Sequence, residues 1–274
     1  MLKVKNLTFS YGRHRVLEDI SFHVKKGELC ALFGPNGTGK TTLFRCCLKF
    51  LNPDSGTVRI NGMDIRRLKS RQMARSVAYV PQAHQCAFPF TVGQVVLMGR
   101  TPHLNRFFTP GAKDRKLADH AMQTLCIHHL ADTAFNQLSG GQQQMVLIAR
   151  AIAQETGLIF LDEPAAALDF KNQIRLWQTL QHIAEQGTAI LACTHDPNHV
   201  SWFCHSTVVL DKSGLVAKGS TGQVMTQEMM NRIYKDTCQV KEVNGLKIMV
   251  PGTVDTQPTN VVAFPGNSKG ILRQ

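Results

Sequence analysis

The chain predicts an α/β fold on a mainly parallel, wrapped sheet, and three observations predict it. Short apolar runs at residues 29–33, 158–161 and 188–193 alternate with helix-period segments at 41–48, 142–154 and 171–186, the pattern of strands joined by crossover helices. The first run empties into a glycine-rich loop that leads straight into a helix. Residues 91–130 are mostly helical in pattern, unlike what flanks them, and so read as a helical subdomain (about 88–150) inserted into the core.

The elements follow in order. Residues 4–10 alternate as a strand and 56–61 (GTVRIN) as another, suggesting a small N-terminal antiparallel sheet beside the core. Residues 76–80 form a short strand ending at Pro81-Gln82. Thr91 opens a helix with Gln94 at capping-box spacing, and Gly99 is placed to stop it. Asp114 is placed to cap a second helix, with Leu117, Ala121, Leu125 and Ile127 roughly on one face. Residues 207–210 and 215–218, joined across 211–214, predict a closing hairpin. A single domain over 1–250 is expected, followed by a tail at 251–274 that lacks periodicity and reads as mobile.

Composition narrows the class. The 274 residues are 43% hydrophobic and 18% charged, ordinary for a globular protein that buries a core. No apolar run is long enough to cross a bilayer, and the first residues enter a strand pattern without a signal-peptide profile, so a cytosolic chain is expected. Eight cysteines without a C-x-x-C pair read as reduced thiols rather than a metal or disulfide framework. The net charge of +12 concentrates at residues 59–75 and 100–116. Nucleic-acid phosphates, an anionic membrane face and a plain solvated surface all accommodate such clusters.

The chemistry sits in motifs. Gly34, Pro35, Asn36, Gly37, Thr38, Gly39, Lys40 and Thr41 match the phosphate-loop pattern G-x-x-x-x-G-K-[ST]. Its glycines let backbone N–H groups close around phosphates, its lysine brings a point charge, and its hydroxyl can ligate Mg²⁺. Residues 158–164 (LIFLDEP) deliver two carboxylates at the C-terminal end of a strand, where ligands gather in parallel sheets. Asp162 can hold the Mg²⁺ hydration shell, and Glu163 can orient or deprotonate an attacking water. Leu138-Ser-Gly-Gly-Gln142 opens a further helix, presenting N–H groups and a positive dipole end to an anion.

With that third motif the chain resembles an ATP-binding cassette (ABC) ATPase, over roughly residues 1–250. The resemblance implies a P-loop NTPase, RecA-like core, with ATP and Mg²⁺ as cofactors. Tyr11 matches the aromatic that stacks on adenine, residues 34–42 including Thr42 the phosphate loop, and Gln82 the Q-loop residue that reaches Mg²⁺. Ser139, Gly140, Gly141 and Gln142 match the signature, residues 166–169 with Asp169 the D-loop, and His195 the switch that contacts the γ-phosphate. Catalysis would then rest on Glu163, His195, Lys40 and Gln82, and the metal on Thr41, Gln82 and Asp162.

A signature helix of about twelve residues holds that motif ~18 Å along the chain's path from the core sheet, so its phosphate belongs to a second subunit. The family's head-to-tail homodimer agrees. Two departures stand out: Ala165 and Ala166 replace the hydroxyl residues usual beside the D-loop, and Met145 stands where many relatives carry Arg.

The segment 91–104 (TVGQVVLMGRTPHL), with Leu168-Asp-Phe-x-Asn-Gln173 and His195-Asp-Pro-Asn-His199, looks like the importer group serving iron–siderophore, haem, cobalamin and some molybdate or tungstate systems. That implies two integral-membrane permease subunits, indirectly a periplasmic or lipoprotein binding protein, and a peripheral place on the cytoplasmic face of the inner membrane. Nucleic acid is not an expected partner. The alternatives are a soluble cassette ATPase acting on nucleic acid or ribosomes, which would usually carry two cassettes or a coiled-coil insertion, and an exporter subunit.

Overall fold

The computed structural model describes residues 1–82, 89–104, 109–235 and 237–252. Strands β3 (Leu29–Phe33), β7 (Leu158–Asp162) and β8 (Ala189–Thr194) are buried at every position, as strands covered on both faces must be. They join β6 (Val77–Val80), β9 (Ser206–Asp211) and β10 (Gly214–Ser220) in the order β10-β9-β3-β8-β7-β6. The ladders are parallel except β10 with β9, the expected closing hairpin. A separate antiparallel sheet, β2-β1-β4-β5, comprises β1 (Leu2–Tyr11), β2 (His14–Val24), β4 (Ser55–Ile60) and β5 (Met63–Asp64).

Alternation along the core strands splits the hydrophobic interior into two layers. Cys30, Leu32, Phe160, Leu191 and Cys193 face one way, toward the antiparallel sheet and helix α1 (Lys40–Cys47). Leu29, Ala31, Phe33, Ile159, Leu161 and Ile190 face the other. There they meet α5 (Gly140–Ala153), α6 (Phe170–Glu185) and α7 (Pro197–Phe203). The described cysteines at 30, 46, 47, 193 and 204 are buried free thiols. Burial pushes Cys30 up to about 12, so the thiol stays protonated and inert, as expected.

The helical insertion packs α3 (Val92–Leu97) and α4 (Ala112–Thr124) on α5. Thr91 and Gln94 close the expected capping box on α3. Two local expectations are corrected. Gly99 does not stop the helix in a left-handed turn; it lies inside a 3₁₀ segment, Met98–His103. A Cβ there would fall 2.3 Å from the Arg150 carbonyl oxygen, so the glycine permits a close backbone approach. Asp114 is not the cap of α4 either. The cap is Gly111, and Asp114, the third residue of the helix, accepts from the Gly111 N–H at 3.1 Å.

Asp114 faces Arg100, which is 4% exposed. The guanidinium donates to Asp114 Oδ1 at 3.0 Å, to Glu155 Oε2 at 2.9 Å and to the Ala153 carbonyl at 2.8 Å. His103 Nε2 lies 2.8 Å from the Gln154 carbonyl. The Gly-Arg-x-Pro-His segment is therefore a clasp fastening the insertion to the end of α5. Arg71 and Arg75 donate to the carbonyls of Pro102 and Leu104. Part of the two basic clusters is thus committed to internal bonding rather than offered to a partner.

Elements not anticipated from the sequence are β2, β5, α2 (Ser70–Ser76), α7, α8 (Thr221–Val224), α9 (Gln227–Tyr234) and a hairpin of β11 (Cys238–Val243) and β12 (Leu246–Pro251). Residues 253–274 of the expected tail, and Cys86, lie outside the described residues.

Candidate active site

The phosphate loop leaves β3 at Gly34, where a Cβ would sit 2.0 Å from the Leu210 carbonyl oxygen of neighbouring β9. Only glycine fits that approach. Thr38 Oγ1 donates to the Pro35 carbonyl at 3.0 Å, fixing the loop's turn. Helix α1 then begins at Gly39 (φ 91°) with no side-chain cap and no acidic residue in its first turn. Helices α3, α5, α6 and α9 all receive a side-chain cap, from Thr91, Ser139, Asp169 and Thr226. The N–H groups at the start of α1 are accordingly left for an external acceptor, with the positive end of the helix behind them.

Lys40 is 7% exposed and donates to the Gly34 and Pro35 carbonyls at 2.6 and 2.8 Å. An ammonium has three donors, so one remains for an anion. Burial pulls its pKa down, opposed by the neighbouring Cys193, Glu163 and Asp162. Asp162 is pushed up, first by burial; the Thr41 bond and Lys40 oppose this, and Glu163 adds to it.

Strand β7 ends beneath α1, and Thr41 Oγ1 donates to Asp162 Oδ2 at 3.1 Å. Residues 121 positions apart thus converge as an oxygen pair. The next residue, Glu163, has φ 50°, a left-handed conformation costly for a non-glycine residue and frequent at functional sites. Its N–H donates to the Cys193 carbonyl at 3.1 Å, tying the turn to β8. Its carboxylate, only 10% exposed, sits 3.0 Å from His195 Nδ1. His195 follows β8 directly, and Asp196 behind it caps α7 through the Asn198 and His199 N–H groups.

These groups share a cavity of 320 Å³ lined by Tyr11, Asn36, Gly37, Gly39, Lys40, Thr41, Thr42, Gln82, Asp162, Glu163 and His195. Gly34, Pro35 and Thr38 shape the loop without lining it. The structure adds Val16, whose side chain crowds Gly39 and forms an apolar wall beside Tyr11. No sequence signal marked it. Tyr11 is 46% exposed and braced edge-on by Phe9 at 4.9 Å.

Ser139, Gly140, Gly141, Gln142 and Asp169 are not brought to that cavity. They line a groove of 1150 Å³ between the insertion and α6, and among the described residues the two cavities share no lining residue. Ser139 and Gln142 close a reciprocal box on α5: Gln142 N donates to Ser139 Oγ at 3.3 Å, and Ser139 N to Gln142 Oε1 at 3.0 Å. Asp169 accepts from Asn172 N at 2.8 Å and Nδ2 at 3.1 Å. Gln173 holds the Ala165 and Leu168 carbonyls at 3.2 and 3.0 Å. The Leu-Asp-Phe-x-Asn-Gln segment is thus a rigid corner beside the signature.

Comparison with known proteins gives a consistent result. The family model described as ABC transporter matches residues 17–166. A Helicobacter pylori protein named "Probable iron chelatin transport ATP-binding protein" is 39% identical over 236 residues, 85% of this chain and 92% of that protein. A structure described as "An inward-facing conformation of a putative metal-chelate type ABC transporter" superposes with a TM-score of 0.79 at 34% identity, covering 91% of this chain and 96% of the other. A cassette solved as a dimer in a post-hydrolysis state with ADP and Pi superposes at 0.71, with 28% identity over 81% of this chain and 99% of the other. Convergence of the glycine-rich loop, the acidic strand end and His195 in one cavity, on this fold and with these relatives, places the chain in the ABC transporter family as an ATP-binding, ATP-hydrolysing subunit.

Proposed function

We propose that two copies of this chain power import of a metal chelate, an iron chelate first, through two membrane permease subunits. The observation that carries the two-copy reading is the separation of the two cavities: the glycine-rich loop lines one and residues 139–142 the other, and among the described residues they share no lining residue. Residues 1–250 act as the nucleotide-binding unit, with the insertion at about 88–150 presenting the signature to a neighbour's ATP. The chelate follows from the named relatives. A peripheral place on the cytoplasmic face of the inner membrane follows from the same kinship. A periplasmic or lipoprotein binding protein would deliver the cargo. Among the described residues no helix is long and apolar enough to cross a membrane.

In this reading Tyr11 stacks on adenine, and loop N–H groups from residues 34–42 with Lys40 hold the phosphates. Thr41, Asp162 and Gln82 fit Mg²⁺, because the donor set is all oxygen and Thr41 and Asp162 already stand 3.1 Å apart. When bound, the ion would neutralise charge on the β- and γ-phosphate oxygens. Glu163 takes the proton of the attacking water, and His195, oriented by Glu163, reaches the γ-phosphate. Ser139, Gly140, Gly141 and Gln142 close the site from the second copy, with Asp169 at the subunit contact. The soluble nucleic-acid alternative loses support, because Arg100, Arg71 and Arg75 bond within the chain.

Two measurements test the reading. Glu163→Gln should abolish steady-state ATP turnover while nucleotide binding persists; undiminished turnover removes Glu163 from the role of base. Vesicles carrying the chain with its cognate permease should accumulate a ferric chelate in an ATP-dependent manner. Accumulation of none of the ferric siderophore, haem and cobalamin probes would overturn the substrate class.

A further inference from the structure

The switch residue His195 is held from a distance. Its ring is 57% exposed and contacts Glu163, but its backbone is gripped by the C-terminal end of the described chain. Tyr234, the last residue of α9, donates its hydroxyl to the His195 carbonyl at 3.0 Å. The same ring meets Phe33, the last residue of β3 before the phosphate loop, edge-on at 6.3 Å. One tyrosine thus touches the strands that deliver both the phosphate loop and the switch. Burial keeps its phenol protonated to about 12, so it remains a donor at neutral pH.

The other side of His195 is held by the same unit. Asn198 exchanges both hydrogen bonds of its amide with the Met249 backbone, at 3.1 and 2.8 Å. Trp202 Nε1 and Ser201 Oγ donate to the Lys247 carbonyl at 2.9 and 3.3 Å. Gln227 on α9 bonds Cys238 O and Val240 N of β11, at 2.9 and 2.7 Å. Helix α9 and the β11–β12 hairpin therefore form one bonded unit. It holds the chain just before Asp196 through Tyr234 and just after it through Asn198.

We propose that Tyr234 is a positioning residue for His195, setting through its carbonyl the place from which the imidazole meets Glu163 and the γ-phosphate. The proposal rests on the switch role assigned to His195 above. A side chain held by its neighbours' hydrogen bonds keeps a productive geometry that a loose one samples only part of the time. Loss of the Tyr234 hydroxyl should therefore lower turnover without changing how ATP first binds.

The test is a double-mutant cycle on the full chain. Tyr234→Phe keeps the ring against Phe33 and deletes only the donor. It should lower kcat about three- to tenfold, with KM for ATP within about twofold and thermal stability nearly unchanged. In a His195→Ala background the same substitution should change kcat by less than about 1.5-fold, because the group being positioned is gone. If His195→Ala leaves kcat intact, the switch role fails. If His195→Ala lowers kcat but Tyr234→Phe does not, or the two effects multiply independently, the positioning role is overturned. Asn198→Ala guards against a purely local effect: it should show the same non-additivity with His195→Ala, and full independence would also contradict the proposal.

Discussion

At the phosphate loop, α1 starts with no side-chain cap and with a buried ammonium beside it. At the signature, α5 starts inside a closed box in which Ser139 and Gln142 satisfy one another's backbone. The first end lacks an internal side-chain cap and suits a strongly charged ligand. The second is already folded and capped, and offers little beyond Gly140, Gly141 and a helix dipole. The first half should bind nucleotide in an isolated chain, and the second should matter only once another chain's phosphate is pressed against it.

Perturbations separate the halves, from the largest expected effect to the smallest. Arg100→Ala strands Asp114 and Glu155 at the base of the insertion and should cost about 3 kcal/mol of stability, read by chemical denaturation. The guanidinium holds the Asp114 carboxyl below its usual range. The stability this adds is complete at neutral pH and is lost as pH falls through that lowered value. ATP affinity of the folded fraction should not change, since the lesion lies on the signature side. Lys40→Ala should do the reverse, weakening ATP binding by about 2–3 kcal/mol, or roughly 30- to 150-fold by titration calorimetry, with turnover lost in proportion. Ser139→Ala opens the capping box, costing about 1 kcal/mol of stability; ATP affinity of the single chain should be unaltered while turnover falls. A fall in single-chain affinity would break the distinction between the halves. Arg66→Ala removes a pair with Asp64 (2.6 Å) in which the arginine is solvent-exposed, and should leave both thermal stability and turnover essentially unchanged.

Legibility in the sequence follows how local each signal is. The loop, the acidic strand end and the signature were readable because their backbone geometry demands particular residues within a few positions. Strand β2 escaped because its alternation breaks: Leu17 and Ile20 are both buried with Glu18 and Asp19 exposed between them. Asp19 there takes φ 48°, and the β1 register shifts between Leu7 and Phe9. Helix α2 buries only Met73, too little for a periodic stripe. The β11–β12 hairpin did carry a signal, Asn244-Gly245, which takes φ 52° and 77° at its turn, as tight hairpins require. Asp114 was misplaced because a first-turn carboxylate and a cap look alike in sequence. Tyr234 and Val16 had no signal, since their roles arise from contacts between distant segments.

The most direct test of the two-copy account is sedimentation velocity of the Glu163→Gln chain with and without saturating Mg-ATP. The chain should be a monomer without nucleotide and, with it, a dimer retaining one ATP per chain, lost again in the Glu163→Gln/Ser139→Arg double variant. A Glu163→Gln chain that stays monomeric with ATP fully bound, or a dimer indifferent to Ser139→Arg, would contradict it.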